Sequence, residues 1–238
     1  MYAGLQTTEA RRGTVVFDCR PLGRLLESEL AYPLLGHHVG SVVGAGIPVL
    51  LGIPADVSED RLKALGAAAA SAGGVALFHA VGVTPEAPTD VSGLPVREVD
   101  LTTLREVRRS LSTFSSGDLD AISVGTPHAS YAECARLAEL VGSGPALKVP
   151  FYLSTGRVTR ARAEETGVLR VLEAAGVTVV VDTCTYVTSI LSPGWKNVMT
   201  NSAKWAHYAP GNINVSAVLG SLEECVASAR AGRVVLDS

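Results

Sequence analysis

With 238 residues, 47% of them hydrophobic and 18% charged, the chain is long and apolar enough to bury a sizeable core, which excludes a disordered protein or a short tail. A net charge of −3, no run of Lys or Arg and only 5% aromatic residues leave neither a phosphate-tracking groove nor a base-stacking platform, so nucleic acid is not an expected partner. The first twenty residues lack the order of a secretory signal and the most apolar window, 67–83, is broken by Ser71, Gly73, Gly74 and His79, so a cytoplasmic protein without a membrane segment is expected.

In chain order, β-branched and apolar runs at 14–17, 47–51, 75–78, 121–124, 177–181 and 215–219 predict strands. Apolar residues at helical spacing over 61–71, 101–111, 130–141 and 160–175 predict the helices between them, and a further helix holds His37 and His38. This rhythm predicts an α/β fold: mainly parallel sheets flanked by helices. Ser130 with Glu133 and Ser221 with Glu224 read as capping boxes. Asn201 or Ser202 reads as the cap of a helix beginning near Ala203. The proline-bearing stretch 83–95 and the polar stretch 115–118 contain few apolar residues, which predicts one unit over 1–115 and another over 116–238.

Three polar clusters follow predicted strands: His79 leading into Gly82-Val83-Thr84-Pro85-Glu86, then Gly125-Thr126-Pro127-His128, then Asp182-Thr183-Cys184. In an open parallel sheet, ligands bind outside the carboxyl ends of the strands, so the three clusters are expected along one crest. Each cluster alone also reads as an ordinary strand-to-helix turn. The helix start at Ala203 offers free N–H groups and a partial positive charge, and Lys204 in its first turn adds a full one, which suits a carboxylate or a phosphate. Of the four cysteines, Cys134 and Cys225 sit at apolar helical spacing and read as core, Cys19 defaults to packing, and Cys184 in a polar loop is the candidate metal ligand or nucleophile. His37 and His38, adjacent in a helix, face different ways and make a poor chelate. No G-x-S-x-G, P-loop, H-E-x-x-H or strand-linked G-x-G-x-x-G motif is present, which removes the usual support for hydrolase, nucleotidase and nicotinamide chemistry.

The runs His79-Ala80-Val81-Gly82-Val83-Thr84-Pro85-Glu86-Ala87 and Asn201-Ser202-Ala203-Lys204, followed by His207-Tyr208, together with Tyr32-Pro33-Leu34-Leu35-Gly36, Gly125-Thr126-Pro127-His128 and Asp182-Thr183-Cys184, resemble the catalytic region of the aconitase X family. The resemblance runs through most of the chain. It implies aconitase-like three-layer α/β/α units that eliminate water from a small anionic hydroxy acid, either hydroxyproline-like or phosphorylated. It further implies an iron centre or iron-sulfur cluster held by three cysteines, of which Cys184 is one. By position, His128, Lys204 and His79 are the expected catalytic groups, and Thr84, Glu86, Thr126, Asn201, Ser202 and His207 the expected substrate contacts. The family's base comes from a small swivelling unit, so the resemblance implies a hetero-oligomer with a swivelling-domain subunit and with a subunit bearing the N-terminal half of the family pattern.

The chain departs from that pattern at Thr126, where family members have cysteine; a hydroxyl is a poor substitute for a thiolate at iron. Two expectations follow. The chain is one piece of a split hydro-lyase, metal-independent or repurposed for a related elimination or cyclisation, or else it is a non-catalytic subunit that binds ligand or organises an assembly.

Overall fold

The computed structural model describes residues 5–142 and 144–237, which form two compact units, one up to Val107 and one from Arg108. Each is built on its own all-parallel sheet. The division falls inside α3 (Leu101–Leu111), ahead of the polar stretch 115–118.

The first sheet contains β1 (Val15–Asp18), β2 (Pro48–Leu51), β3 (His79–Ala80) and β4 (Val96–Glu98), in the order β3-β2-β1-β4. Between β1 and β2 lies α1 (Ala31–Val43), and between β2 and β3 lies α2 (Glu59–Gly73). Ser58 caps α2 by accepting the Arg61 N–H, with Glu59 and Asp60 in the first turn complementing the helix dipole, and Gly74 ends it in the left-handed region. The two helices approach closely because glycines face backbone: a Cβ on Gly36 would lie 2.1 Å from the Leu65 carbonyl oxygen, and one on Gly73 would lie 1.9 Å from that of Gly40. The strand expected at 75–78 is displaced. That run carries the chain from Gly74 up to the sheet, and only its continuation, His79–Ala80, reaches the edge of β2, pairing with Val49 and Leu50. The short β4, exposed throughout, was not legible as a strand because it lacks an apolar face.

The second sheet contains β5 (Ala121–Ala129), β6 (Phe151–Thr155), β7 (Val177–Val181), β8 (Asn197–Thr200) and β9 (Ser216–Leu219), in the order β7-β6-β5-β8-β9. The helices are α4 (Tyr131–Gly142), α5 (Arg157–Glu165), α6 (Val168–Ala174), α7 (Ala203–Ile213) and α8 (Leu222–Ala231). The single helix expected over 160–175 is two, because Gly167 takes φ 80° and starts a new helix there. Ile122, Val124, Leu137, Phe151, Leu153, Leu172, Met199 and Val226 belong to the core. Both expected capping boxes are present. The Ser130 and Ser221 hydroxyls accept the Glu133 and Glu224 N–H groups, while each glutamate returns a carboxylate oxygen to its serine N–H. Glu224, buried, also accepts from Arg108 at 2.6 Å and from the Asp237 N–H at 2.8 Å, joining α3, α8 and the C-terminal segment.

In both sheets the first strand in sequence lies inside and the strand order reverses beside it, between β1 and β4 and between β5 and β8. Such a switch point opens a crevice at the carboxyl ends of the strands. The three polar clusters are therefore not on one crest: the His79 cluster belongs to the first sheet and the other two to the second.

Candidate functional site

The switch point of the second unit lies where β5 and β8 end. Ala121 and Ile122 pair with Val198 and Met199, so the strands run on side by side toward Gly125-Thr126 and Asn201-Ser202. Ser202 caps α7, accepting the Trp205 N–H at 3.0 Å, while its own N–H reaches Thr200 Oγ1. The N–H groups of Ala203 and Lys204 have no acceptor within the helix, as at any helix start. Lys204, half-buried, makes no ion pair among the described residues. Trp205 is fully buried and donates its indole N–H to Thr185 Oγ1 at 2.8 Å, and Thr185 shares a 2.6 Å hydrogen bond with Ser123 of β5. This buried chain fixes the start of α7 to the central strand and to the loop after β7. The start of α7 is thereby held in place from within the core.

At the end of β7, Asp182 occupies the left-handed region at φ 58°. Its Oδ1 accepts the Arg157 N–H at 3.0 Å and its Oδ2 accepts the Arg157 Nε–H. Those bonds, the backbone one foremost, hold its carboxyl below the usual carboxylate range against the opposing effect of burial, and the positive charge of nearby His128 acts in the same direction. His128 Nε2 lies 3.3 Å from the Thr183 carbonyl oxygen, so the end of β5 meets the loop after β7. Cys184, half-buried, follows directly. Tyr186 has its phenol pushed up by burial first and then by Cys184 and Tyr208; its ring stacks on Tyr208 with centroids 5.6 Å apart, and His207 meets the Tyr208 ring edge-on at 4.9 Å. His128, Asp182, Cys184, Tyr186 and the side chains of α7 thus share one neighbourhood. Arg157 was not recognisable from local sequence, because a lone arginine at a helix start looks like a solvated surface residue.

Thr126 is 4% exposed and follows Gly125, whose φ is 82°. Val124 pairs with Leu153 and Ala129 with Thr155, so the four residues 125–128 arch over the single residue Ser154. A Cβ on Gly125 would lie 2.3 Å from the Ser154 carbonyl oxygen, which only glycine avoids. Thr126 Oγ1 and Ser154 Oγ are buried and have no hydrogen-bond partner among the described residues.

In the first unit, His79 is 3% exposed and lies 2.7 Å from the Arg11 carbonyl oxygen. A carbonyl only accepts, so Nε2 carries the proton. Thr84 Oγ1 accepts the Ala80 N–H at 2.9 Å within its own turn. Glu86 pairs with the Arg11 guanidinium, which with lesser help from His79 keeps its carboxyl below the usual range. His79 and Glu86 therefore both hold the segment around Arg11, and Arg11 is a partner that the sequence did not reveal. A cleft lined by Thr8, Arg11, Arg12, Gly13, His79 and Glu86 lies there.

The aconitase X second-domain family model matches residues 13–109, and the aconitase X third-domain model matches residues 119–231. This chain belongs to the aconitase X family. The cis-3-hydroxy-L-proline dehydratase of Hypocrea jecorina is 38% identical over 96% of this chain and 40% of its own length. The phosphomevalonate dehydratase large subunit of Methanothermobacter thermautotrophicus is 38% identical over 90% of this chain and 53% of its own. The structure of Thermococcus kodakaraensis aconitase X in its holo-form superposes with a TM-score of 0.83 at 30% identity, covering 95% of this chain and 57% of that one. The aconitase X chain described here therefore spans about half the length of the relatives it matches, or somewhat less.

For the cluster of three cysteines that the family resemblance implies, the donor set on this chain does not fit. Cys184 is the thiol near the β7 end, position 126 offers a hydroxyl in place of a thiolate, and no group of three His, Cys, Asp or Glu among the described residues could hold a metal ion.

Proposed function

We infer that this aconitase X chain is the substrate-holding part of a hydro-lyase that removes water from a small anionic hydroxy acid, hydroxyproline-like or phosphorylated, in an assembly with further subunits. The observation that carries this reading is the buried Ser123–Thr185–Trp205 chain, which ties the start of α7, with a Lys204 that makes no ion pair among the described residues, to the loop after β7 that His128 also meets. A helix start and an ammonium group bind a carboxylate or phosphate by charge. Elimination then needs one group to take a proton from carbon and another to give one to the departing hydroxyl. His128 is the candidate on this chain for the second role, with Lys204 and Asn201 orienting the anion. His79 already donates to Arg11, so the reading leaves the proton transfers to the second unit and to a partner.

The test is to co-express the chain with its genomic neighbours and assay the purified assembly for dehydration of cis-3-hydroxy-L-proline and of phosphomevalonate. Turnover is expected with one of them, with Lys204→Ala raising KM by roughly tenfold or more, the size of a lost charge-assisted contact. A complete assembly without turnover would sink the hydro-lyase reading. If it still bound one of these acids, the chain would instead be a non-catalytic binding subunit, a reading favoured by the hydroxyl at position 126.

A further inference from the structure

The helix α5 begins after Gly156, a residue with no side chain to cap it. The acceptor comes instead from the neighbouring strand. Asp182, at the end of β7, takes the Arg157 N–H on Oδ1 at 3.0 Å and the Nε–H of the same arginine on Oδ2, while its own N–H donates to the Thr155 carbonyl oxygen at 2.9 Å. Asp182 is thus held by side chain and backbone in the left-handed region, where the chain turns sharply. The loop beyond is closed on itself: the Val187 and Thr188 N–H groups both donate to the Cys184 carbonyl oxygen, and the Thr183 and Thr188 hydroxyls share a 2.6 Å hydrogen bond. Between these two constraints the Thr183 carbonyl oxygen faces His128 Nε2 at 3.3 Å. A carbonyl only accepts, so this contact selects the ring form with its proton on Nε2. When the ring is charged, the proton it can give up without losing that contact is the one on Nδ1.

We propose that Asp182 and Arg157 are positioning residues for His128: their clamp aims the Thr183 carbonyl at Nε2, so that the reacting proton of His128 is the one on Nδ1. The proposal rests on the hydro-lyase reading above for the reaction that His128 serves. In that reaction a base on a partner takes the carbon-bound proton and the C–H electron pair becomes the double bond. The C–O pair leaves with the hydroxyl, which takes the Nδ1 proton and departs as water. His128 is left neutral with its proton on Nε2, the form that the Thr183 carbonyl already favours. A clamp that merely capped α5 would act on stability alone and leave the ring of His128 as it was.

The experiment reads the ring nitrogens of His128 by NMR in the full chain carrying isotope-labelled histidine, at about pH 8, above the ordinary imidazole range. The signal is assigned by its loss in His128→Gln. Wild type is compared with Asp182→Asn, Asp182→Gly and Arg157→Pro, each also followed by thermal melting. Asparagine keeps an oxygen for the Arg157 N–H and tolerates the left-handed region, whereas glycine enters that region freely and removes the acceptor. Arg157→Pro deletes the N–H donor and the guanidinium together; proline suits a first helical position, and Gly156 at φ −83°, ψ 154° already has the extended backbone that precedes it. Wild type and Asp182→Asn should show the Nε2–H form alone. Asp182→Gly and Arg157→Pro should both lose that single signature, and in the co-expressed assembly both should lower kcat about tenfold or more with KM within about twofold. A wild-type ring with its proton on Nδ1, loss of the signature in Asp182→Asn, or its retention in either Asp182→Gly or Arg157→Pro, whatever the melting temperatures, overturns the clamp, as does unchanged kcat in those two variants. A wild-type assembly without turnover removes the hydro-lyase reading instead, and the NMR result on the chain alone still decides whether the clamp orients the ring.

Discussion

Cys184 differs from the other cysteines in a way that chemistry can read. Cys19 is buried with its thiol pushed up to about 12, by burial first and by Asp18 second, and complete burial raises the Cys225 thiol well above its ordinary value too. Cys134 is also buried, and only Cys184 is half-exposed. The thiolate is the reactive form, so a disulfide reagent at neutral pH should modify one thiol per native chain, lost in Cys184→Ser, and all four after denaturation. Asp18 gives a second prediction. Its side chain is largely buried and accepts from Arg20 Nε at 2.8 Å and Nη2 at 2.6 Å; the Arg20 bond, opposed by burial, lowers its carboxyl below the ordinary range. A lowered folded value contributes stability that is fully present above the unfolded value of about 3.9 and fades as pH falls through the folded one. Asp18→Asn should therefore flatten the acid limb of a stability-against-pH curve below about pH 4 and leave its shape at neutral pH unchanged. The burial of Cys134 and Cys225 was legible from apolar spacing, because spacing reports burial. Partnerships such as Arg157 with Asp182 or Arg11 with Glu86 were not, because they join residues 25 and 75 positions apart.

Among the elements, α1 and α2 show how a sequence pattern can hide its reason. Gly36 and Gly40 lie in helix interior, where glycine normally weakens a helix, yet a Cβ on either would strike the backbone of α2, at 2.1 Å from Leu65 O and 2.3 Å from Ala69 O. Gly36→Ala should lower stability by roughly 1–3 kcal/mol in denaturant unfolding, although alanine is the better helix former, since overpacking outweighs propensity. Helix starts at Ser130, Ser202 and Ser221 were readable because capping is local. The strands β6 and β8 were not readable. β6 ends in Ser154 and Thr155, buried hydroxyls that break the apolar run, and β8 has only Val198 and Met199 to mark it. Their place in the sheet is fixed by neighbours distant in sequence, which local propensity does not contain.

For the molecule as a whole, the α/β class and parallel pairing followed from the alternation of runs, whereas the placing of the His79 cluster on a different sheet from the other two clusters did not, because both units repeat the same rhythm. The second unit has its own core and an internal tie from Arg108 to Glu224, 4% exposed. A fragment beginning at Asp100, which keeps all of α3, should fold cooperatively by circular dichroism and denaturant titration. One beginning at Ser112 loses Arg108 and leaves Glu224 without its charge partner; its unfolding midpoint should be lower, by an amount corresponding to about 2–4 kcal/mol. Equal midpoints for the two fragments would show that the tie contributes nothing to this unit.

In the second sheet, four residues of one strand stand opposite a single residue of the next, and pairing resumes at Ala129. Because the backbone register is set on either side of that surplus, the side chain at its second position can be exchanged without re-registering the sheet. The chemistry at position 126 is therefore open to change by single substitutions in a scaffold whose strand pairing need not alter to receive them.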